Sequence, residues 1–270
     1  MSHRYRYDPA PFREVFERHF TFIAGFLRNA HRYAGRPALD DPASGRRWTY
    51  AELAADVGRL AAGLAGRGVR RGDVVAFQLF NSPEFALVYL AAQWLGAIAA
   101  PVNFRFAPGE MAYVLDDSLP RAYVYDQALA GAAAEALRLA GHRPALLAVV
   151  PGPGGPGAGA AAGPPGAVPF AELAGAAGTA PDPGGGTVWD ETTRLYTSGT
   201  TGMPKGVPLP ALAEVLTAHD VIMHFPLSPE DMTLNLTPWF HRGGISPGGP
   251  NAVFYAGAAA LPMRAFDAAA

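Results

Sequence analysis

Apolar residues recur at helical spacing near the start of the chain, where Phe12, Phe16, Phe20, Ile23 and Leu27 share one face. A second helical face runs through Leu53, Val57, Leu60 and Leu64 and fades near Gly66 and Gly68. Its start is marked by Thr49-Tyr50-Ala51-Glu52. This is a capping box: the threonine hydroxyl can accept from the third helical N–H while the glutamate reaches back. Val74 to Phe80 then reads as a strand. Ser82-Pro83-Glu84 opens another helix with a cap, a first-turn proline and an acid at the positive dipole end. Gly96 stops that helix, and Ala97 to Val102 reads as a buried strand. Ala122 to Tyr125 and Leu146 to Val150 repeat the pattern. Strand–helix–strand alternation of this length predicts an α/β fold with a mostly parallel sheet covered by helices. The longest apolar stretch, Phe85 to Val102, contains Gln93, Gly96 and Pro101, which fits a buried helix and strand rather than a membrane span.

The pattern breaks between Pro151 and Gly186, where 20 of 36 residues are Gly or Pro and no Lys or Arg occurs from Pro144 to Thr193. Such a segment buries too little side chain to offset its ordering entropy, which predicts a flexible connection. A short helix is expected within it near Phe170 to Ala177. The expected organisation is a first α/β unit over 1–150, the connection over 151–186, and a phosphate-loop region opening a second unit over 187–270. Asn251 to Tyr255 then reads as helix, Ala258 to Met263 as strand, and Phe266-Asp267 as the cap of another helix. Three alanines later the sequence stops, which predicts a truncated chain, with a frayed tail as the alternative.

Composition narrows the chemistry. With a formal net charge of −2, the chain lacks the basic surface expected of a nucleic-acid or anionic-membrane partner. The absence of cysteine excludes a disulfide scaffold, a thiolate nucleophile and any Cys-ligated metal. No targeting segment is visible, so a cytoplasmic protein is expected. The histidines show no metal spacing: His219 and His224 lie five apart and suit solvated or core-edge positions. Two motif matches fail on physical grounds. Gly152-Pro153-Gly154-Gly155-Pro156-Gly157 fits a dinucleotide pattern, but its prolines remove N–H donors that a pyrophosphate needs. Gly244-Ile245-Ser246-Pro247-Gly248 fits a nucleophile elbow, but Pro247 lacks the N–H required after the serine.

The informative segment is Arg194-Leu195-Tyr196-Thr197-Ser198-Gly199-Thr200-Thr201-Gly202-Met203-Pro204-Lys205-Gly206-Val207. A short strand leads into a run of hydroxyl and glycine positions, then a lysine. Glycines let backbone N–H groups approach a phosphate, and the Ser and Thr hydroxyls add donors that can also meet Mg²⁺. A polar surface turn would have the same composition. Against that reading, Lys205 is the single lysine among 21 basic residues, the others being arginine. A compact ammonium suits a narrow phosphate loop better than a guanidinium does. The segment is not a Walker loop, because Pro204 precedes the lysine and Gly206 comes after it.

Thr197 to Val207 resembles the phosphate-loop signature of the adenylate-forming enzymes: acyl-CoA synthetases, luciferase-like enzymes and peptide-synthetase adenylation domains. Trp48-Thr49-Tyr50-Ala51-Glu52-Leu53, Gly72-Asp73-Val74-Val75, Asn81-Ser82-Pro83-Glu84 and Leu95-Gly96-Ala97 are similar to earlier segments of that family. Pro101-Val102-Asn103 with Glu110 to Leu115 looks most like the fatty-acyl and aryl-CoA ligase branch. Pro238-Trp239-Phe240-His241 resembles the segment bordering the acyl pocket. The resemblance implies a layered αβαβα-type domain with mostly parallel sheets, of which this chain holds the N-terminal part. It implies ATP, Mg²⁺ and coenzyme A as co-substrates or cofactors and a small carboxylic acid as substrate. Thr197, Ser198, Gly199, Thr200, Thr201, Gly202 and Lys205 would hold the β- and γ-phosphates, with Thr200 meeting the metal. Lys205 and His241 would be the catalytic residues, and Trp239, Phe240 and His241 would line the substrate pocket.

The sequence also departs from the family. Pro208-Leu209-Pro210 replaces the Thr/Ser-His pair that often succeeds the loop. The family's "YGxTE" segment, ribose-binding aspartate, hinge and C-terminal lysine have no counterpart after His241. The expectation is therefore an ATP-dependent carboxylate–CoA ligase by ancestry, with little activity in this chain alone. The alternatives are a non-catalytic nucleotide-binding remnant or a partner of an intact synthetase.

Overall fold

The computed structural model describes residues 8–152, 163–183, 186–197 and 202–265. The first apolar face divides into α1 (Ala10–His19) and α2 (Phe22–Arg32). The break falls at Thr21, whose hydroxyl accepts the Ala24 N–H at 3.4 Å and caps α2. α2 buries Phe22, Ile23 and Phe26, whereas α1 buries no residue. β1 (Pro37–Asp41) and β2 (Arg46–Thr49) then form an antiparallel pair. α3 (Tyr50–Gly66) starts at the expected capping box, with the Thr49 N–H donating to Glu52 at 2.8 Å. Its Leu53, Val57, Leu60 and Leu64 are all fully buried.

The alternating units occupy the expected places. They are β3 (Val74–Gln78), α4 (Pro83–Trp94), β4 (Ile98–Pro101), α5 (Pro108–Ser118), β5 (Ala122–Asp126), α6 (Ala130–Leu139) and β6 (Leu146–Val150). Ser82 caps α4 through the Phe85 N–H, with Pro83 in the first turn. α4 is buried almost all round, as a helix lying between two apolar layers must be. Among the described residues no helix is long and apolar enough to cross a membrane.

The Gly/Pro-rich region is not uniformly a free connection. Residues 163–183 contain β7 (Val168–Pro169) and α7 (Phe170–Ala174), the latter shorter than the sequence suggests. β7 pairs with β6 through Ala148↔Val168, and α7 buries Phe170 and Leu173. Two apolar side chains are enough to pin this piece against α3. Residues 153–162, which include most of the dinucleotide-like run, lie outside the described residues.

The remaining elements are β8 (Glu191–Thr197), β9 (Lys205–Pro210), α8 (Ala211–His224), β10 (Met232–Asn235), α9 (Arg242–Ile245), α10 (Pro250–Ala256) and β11 (Ala259–Pro262). The expected helix cap at Phe266-Asp267 lies outside the described residues. The strands form two sheets, in the orders β7-β6-β5-β3-β4-β8-β9 and β10-β11-β1-β2. All neighbours are parallel except β8 with β9 and β1 with β2. The two sheets interleave the beginning and the end of the chain. β8 and β9 complete the sheet built by the first 150 residues, because β8 pairs with β4 at Ala99↔Thr193. The N-terminal β1 and β2 belong instead to the sheet formed with β10 and β11.

Side-chain alternation produces two cores. Val75 and Phe77 of β3 face the larger one with α2, α3 and α4, whereas Val74 and Ala76 face the smaller one with α5 and α6. The layers therefore run helix, sheet, helix, sheet. The two sheets are also tied by charge. Arg264, just after β11, donates to both oxygens of the buried Asp126 at 2.6 and 2.8 Å.

The packing of α3 on α7 is close enough to test. A Cβ on Gly63 would lie 2.2 Å from the Leu173 carbonyl oxygen, whereas one on Gly66 would meet nothing within 4 Å. Alanine is the better helix former by about 1 kcal/mol. Even so, Gly63→Ala is expected to lose about 1–3 kcal/mol in urea unfolding through overpacking. Gly66→Ala in the same helix is expected to leave stability unchanged or raise it slightly.

Candidate active site

The carboxyl ends of parallel strands are where α/β sheets collect ligands. The candidate residues lie at that edge. β8 and β9 are an antiparallel hairpin with Thr197 directly opposite Lys205. Both ends of the connecting loop are thus held by strand pairing. Thr197, Gly202 and Lys205 are exposed, and Gly202 takes φ +95°. That left-handed backbone favours glycine. Ser198, Gly199, Thr200 and Thr201 lie outside the described residues.

The strand leading into the loop is anchored on both faces. Leu195 is buried in the larger core, and Tyr196 in the smaller. The Tyr196 hydroxyl donates to Asp117 of α5 at 2.6 Å. Burial and the Asp117 carboxylate push the Tyr196 phenol well above its ordinary range, so it stays protonated and remains a donor. Gly206 is needed opposite it, because a Cβ there would sit 3.1 Å from the Tyr196 ring. The loop returns as a strand rather than entering a helix, which separates it from a Walker loop in topology as well as in sequence.

The second group surrounds Asn81, just beyond β3. Its side-chain amide donates to the carbonyls of Asn235 and Thr237 at 3.3 and 3.0 Å, and its oxygen accepts the Trp239 N–H at 2.8 Å. Trp239 is buried, with its indole N–H on Asn235 at 2.9 Å and its ring edge-on to Phe85. It therefore forms part of the core behind this segment. Phe240 packs edge-on against Phe104, which lies just past β4, with ring centroids 5.2 Å apart. Phe104 in turn lies 4.4 Å from Phe80, whose other neighbour is the Arg264 guanidinium at 4.1 Å. A cavity of about 270 Å³ opens beside this row, lined in part by Asn81, Glu84, Pro151 and Arg264.

His241 is exposed and caps α9, with Nδ1 accepting the Gly243 N–H at 3.1 Å. An accepting Nδ1 carries no proton, which leaves the proton on Nε2 as a donor. The two glycines of the elbow-like motif serve backbone geometry: a Cβ on Gly244 would lie 2.0 Å from the Pro238 carbonyl oxygen, and Gly248 takes a left-handed φ of +71°. Ser246 is buried at the end of α9. His219 lies 3.2 Å from the Tyr255 hydroxyl, and His224 lies 2.8 Å from the Asp220 carbonyl. Among the described residues no group of three or more His, Asp or Glu is placed to hold a metal.

The structure thus assembles two groups: Thr197, Gly202 and Lys205 at the hairpin, and Trp239, Phe240 and His241 around α9. β4 is their common neighbour, through β8 on one side and Phe104 on the other. The roles of Asn81 and Asp117 are not visible in the sequence. A polar residue directly after a strand is ordinary, and their partners lie 154 to 158 and 79 residues away. Asn81→Ala is expected to cost about 1–3 kcal/mol, since it leaves the buried Asn235 carbonyl and Trp239 N–H without their partner. Urea unfolding measures the loss, and faster amide exchange confined to 235–241 would locate it.

A family model described as AMP-binding enzyme matches residues 26–270. Over 95% of its length the chain is 30% identical to a sulfoacetate–CoA ligase of Cupriavidus necator, of which it covers 47%. The ATP-bound crystal structure of MatB from Rhodopseudomonas palustris superposes with a TM-score of 0.73 at 26% identity, over 92% of this chain and 46% of that one. The inhibitor-bound N-terminal domain of FACL13 from Mycobacterium tuberculosis gives a TM-score of 0.74 at 26% identity, over 92% and 58%. The chain therefore spans about half the length of the proteins it matches. With the model matched over residues 26–270 and the parallel sheet covered by helices on both faces, this chain belongs to the AMP-binding enzyme family.

Proposed function

We propose that this chain supplies the phosphate-binding part of an ATP-dependent carboxylate–CoA ligase. The observation that carries the reading is the hairpin, which holds Thr197 opposite Lys205 at the carboxyl edge of the parallel sheet. In the first step a carboxylate oxygen attacks the α-phosphorus of ATP. The bond to the bridging oxygen breaks, and pyrophosphate leaves as the acyl-adenylate forms. In the second step the thiol of coenzyme A attacks the acyl carbon, AMP leaves, and the thiol proton is lost.

Thr197 to Gly202 would present backbone N–H groups and hydroxyls to the β- and γ-phosphates. Lys205 would neutralise charge that builds up on pyrophosphate as it departs. The Thr200 hydroxyl suits a magnesium ion that travels with ATP and keeps most of its waters. That ion, when bound, supplies further neutralisation of the phosphates. His241, with its proton on Nε2, would donate to the substrate carboxylate and orient it. Phe240 would form pocket wall, backed by the buried Trp239. The relatives support carboxylic acids as the substrate class, and the fatty-acyl and aryl branch is the narrower proposal. The cytoplasm, where ATP and coenzyme A are available, is the proposed location.

A second reading keeps the nucleotide site and not the chemistry. By that reading the chain binds nucleotide without completing adenylation, alone or beside an intact synthetase. Two measurements separate the readings. Titration with ATP and magnesium is expected to show binding that Lys205→Ala weakens by about 10- to 100-fold, one lost charged contact being worth about 1.5–3 kcal/mol. Thermal unfolding should not move, because Lys205 is exposed on an edge strand. Carboxylate-dependent ATP–pyrophosphate exchange by the chain would establish adenylation. Binding without exchange would favour the nucleotide-binding reading, and the absence of binding would overturn both.

A further inference from the structure

The base of the phosphate-loop hairpin holds a buried carboxylate that no other part of the site explains. Glu214 lies on the apolar stripe of α8, among Ala211, Val215, Ala218 and Val221, and is only 3% exposed. Its Oε1 accepts from the Tyr89 hydroxyl at 2.5 Å and the Thr193 hydroxyl at 2.6 Å, with the Gln93 amide at 3.4 Å. Its Oε2 accepts from the Thr192 hydroxyl at 2.5 Å. Tyr89 and Gln93 belong to α4, and the two threonines to β8. One carboxylate therefore joins three elements through neutral donors.

A leucine would pack on that stripe without the cost of burying a charge. What leucine could not do is bond two successive residues of a strand, whose side chains normally point to opposite faces. Here they converge because β8 carries an irregularity at this point. Between Glu191↔Pro210 and Thr193↔Leu209 the register shifts, leaving Thr192 as the extra residue. Bulges bend a strand and re-aim the residues beyond them. Thr197 is five residues further on, about 16 Å along an extended strand. A small change of direction at Thr192 is thus magnified at the loop.

Resting on the nucleotide reading above, we infer that Glu214 is a positioning residue for the phosphate loop, clamping the β8 bulge so that Thr197 and Lys205 are held where phosphate binds. The groups facing it are Tyr89 and Gln93 from α4 and Thr192 and Thr193 from β8. Arg242, whose guanidinium rests on the Thr217 hydroxyl at 2.6 Å, contributes charge from the α9 segment. Burial pushes the Glu214 carboxyl up, against the opposing pull of the threonine and tyrosine hydroxyls. A raised folded-state value means that folding favours the protonated form. That contribution to stability is fully present below the unfolded value and is lost as pH rises through the folded one. The clamp behaves oppositely, because only the ionised carboxylate accepts from all its donors.

The test compares wild type with Glu214→Gln, which keeps the shape and removes the charge. Titrations with ATP and magnesium across pH are combined with amide exchange and thermal unfolding. Because ATP titrates identically in both, the ratio of their affinities isolates Glu214. The variant is expected to bind about tenfold more weakly at the alkaline end, with the ratio approaching unity as pH falls. Its unfolding temperature should not drop. Exchange should accelerate in 192–197 and 206–210 while α4 stays protected, and Thr192→Val should reproduce that pattern. Equal affinity of wild type and Glu214→Gln at every pH would overturn the inference, as would loss of protection spread over the whole protein. Failure of wild type to bind ATP at all would instead overturn the nucleotide reading. The exchange pattern would still report whether Glu214 clamps the hairpin.

Discussion

The structure depends on a single strand that is buried on both faces. β8 pairs with β4 on one side and β9 on the other, and its successive residues Leu195 and Tyr196 enter different cores. Such a strand cannot slip by one residue without exchanging its two faces, which would drive Arg194 and Thr197 into apolar layers. Register is therefore set by burial. Once it is set, the loop after Thr197 has to emerge at the carboxyl edge of the sheet. The proposed phosphate-binding residues follow at the exposed end of this strand.

Around that edge the molecule uses polar contacts sparingly and over long separations. Asn81 ties the end of β3 to the segment from Asn235 to Trp239, Asp126 ties β5 to Arg264 after β11, and Tyr196 ties β8 to α5. Each contact joins an element of the large sheet to a layer beside it. The Asn81 bond to the Trp239 N–H and the Asp126 carboxylate are buried enough that leaving either without its partner would cost more than the bond itself contributes. These contacts specify geometry where apolar packing alone would allow the layers to slide. The aromatic row of Phe240, Phe104 and Phe80 fills the space between them.

Elements whose signals are local can be recognised in the chain without its fold. The Thr49–Glu52 box, the Ser82-Pro83 helix start and the strand at Leu146–Val150 all depend on neighbours within a few residues, and all are found where expected. Strand partnership is not local. Nothing in Glu191 to Thr197 says that it pairs with β4, or in Pro37 to Asp41 that it pairs with β11. In the Gly/Pro-rich region the short helix at Phe170 is, by contrast, signalled locally, by Phe170 and Leu173 among glycine-rich surroundings. The segment from Thr197 to Lys205, proposed to bind phosphate, stands out for the same reason. Backbone-mediated phosphate binding needs contiguous small and hydroxylated residues, so its signature stays contiguous in sequence.

The polar residues proposed to aim the loop leave a fainter trace. Glu214 breaks the apolar stripe of α8, and a carboxylate at such a position implies donors converging on it from other elements. The stripe reveals the anomaly, but the donors come from α4 and β8, which are distant in sequence. The same holds for Lys205, whose position is set by Thr197 across the ladder and not by the residues beside it. Residues that touch phosphate can thus be found by motif, whereas residues that aim them are recognised only when the layers are assembled. In the proposed arrangement the two sets meet on one hairpin, with the aiming contacts near the start of β8 and the binding contacts toward its turn.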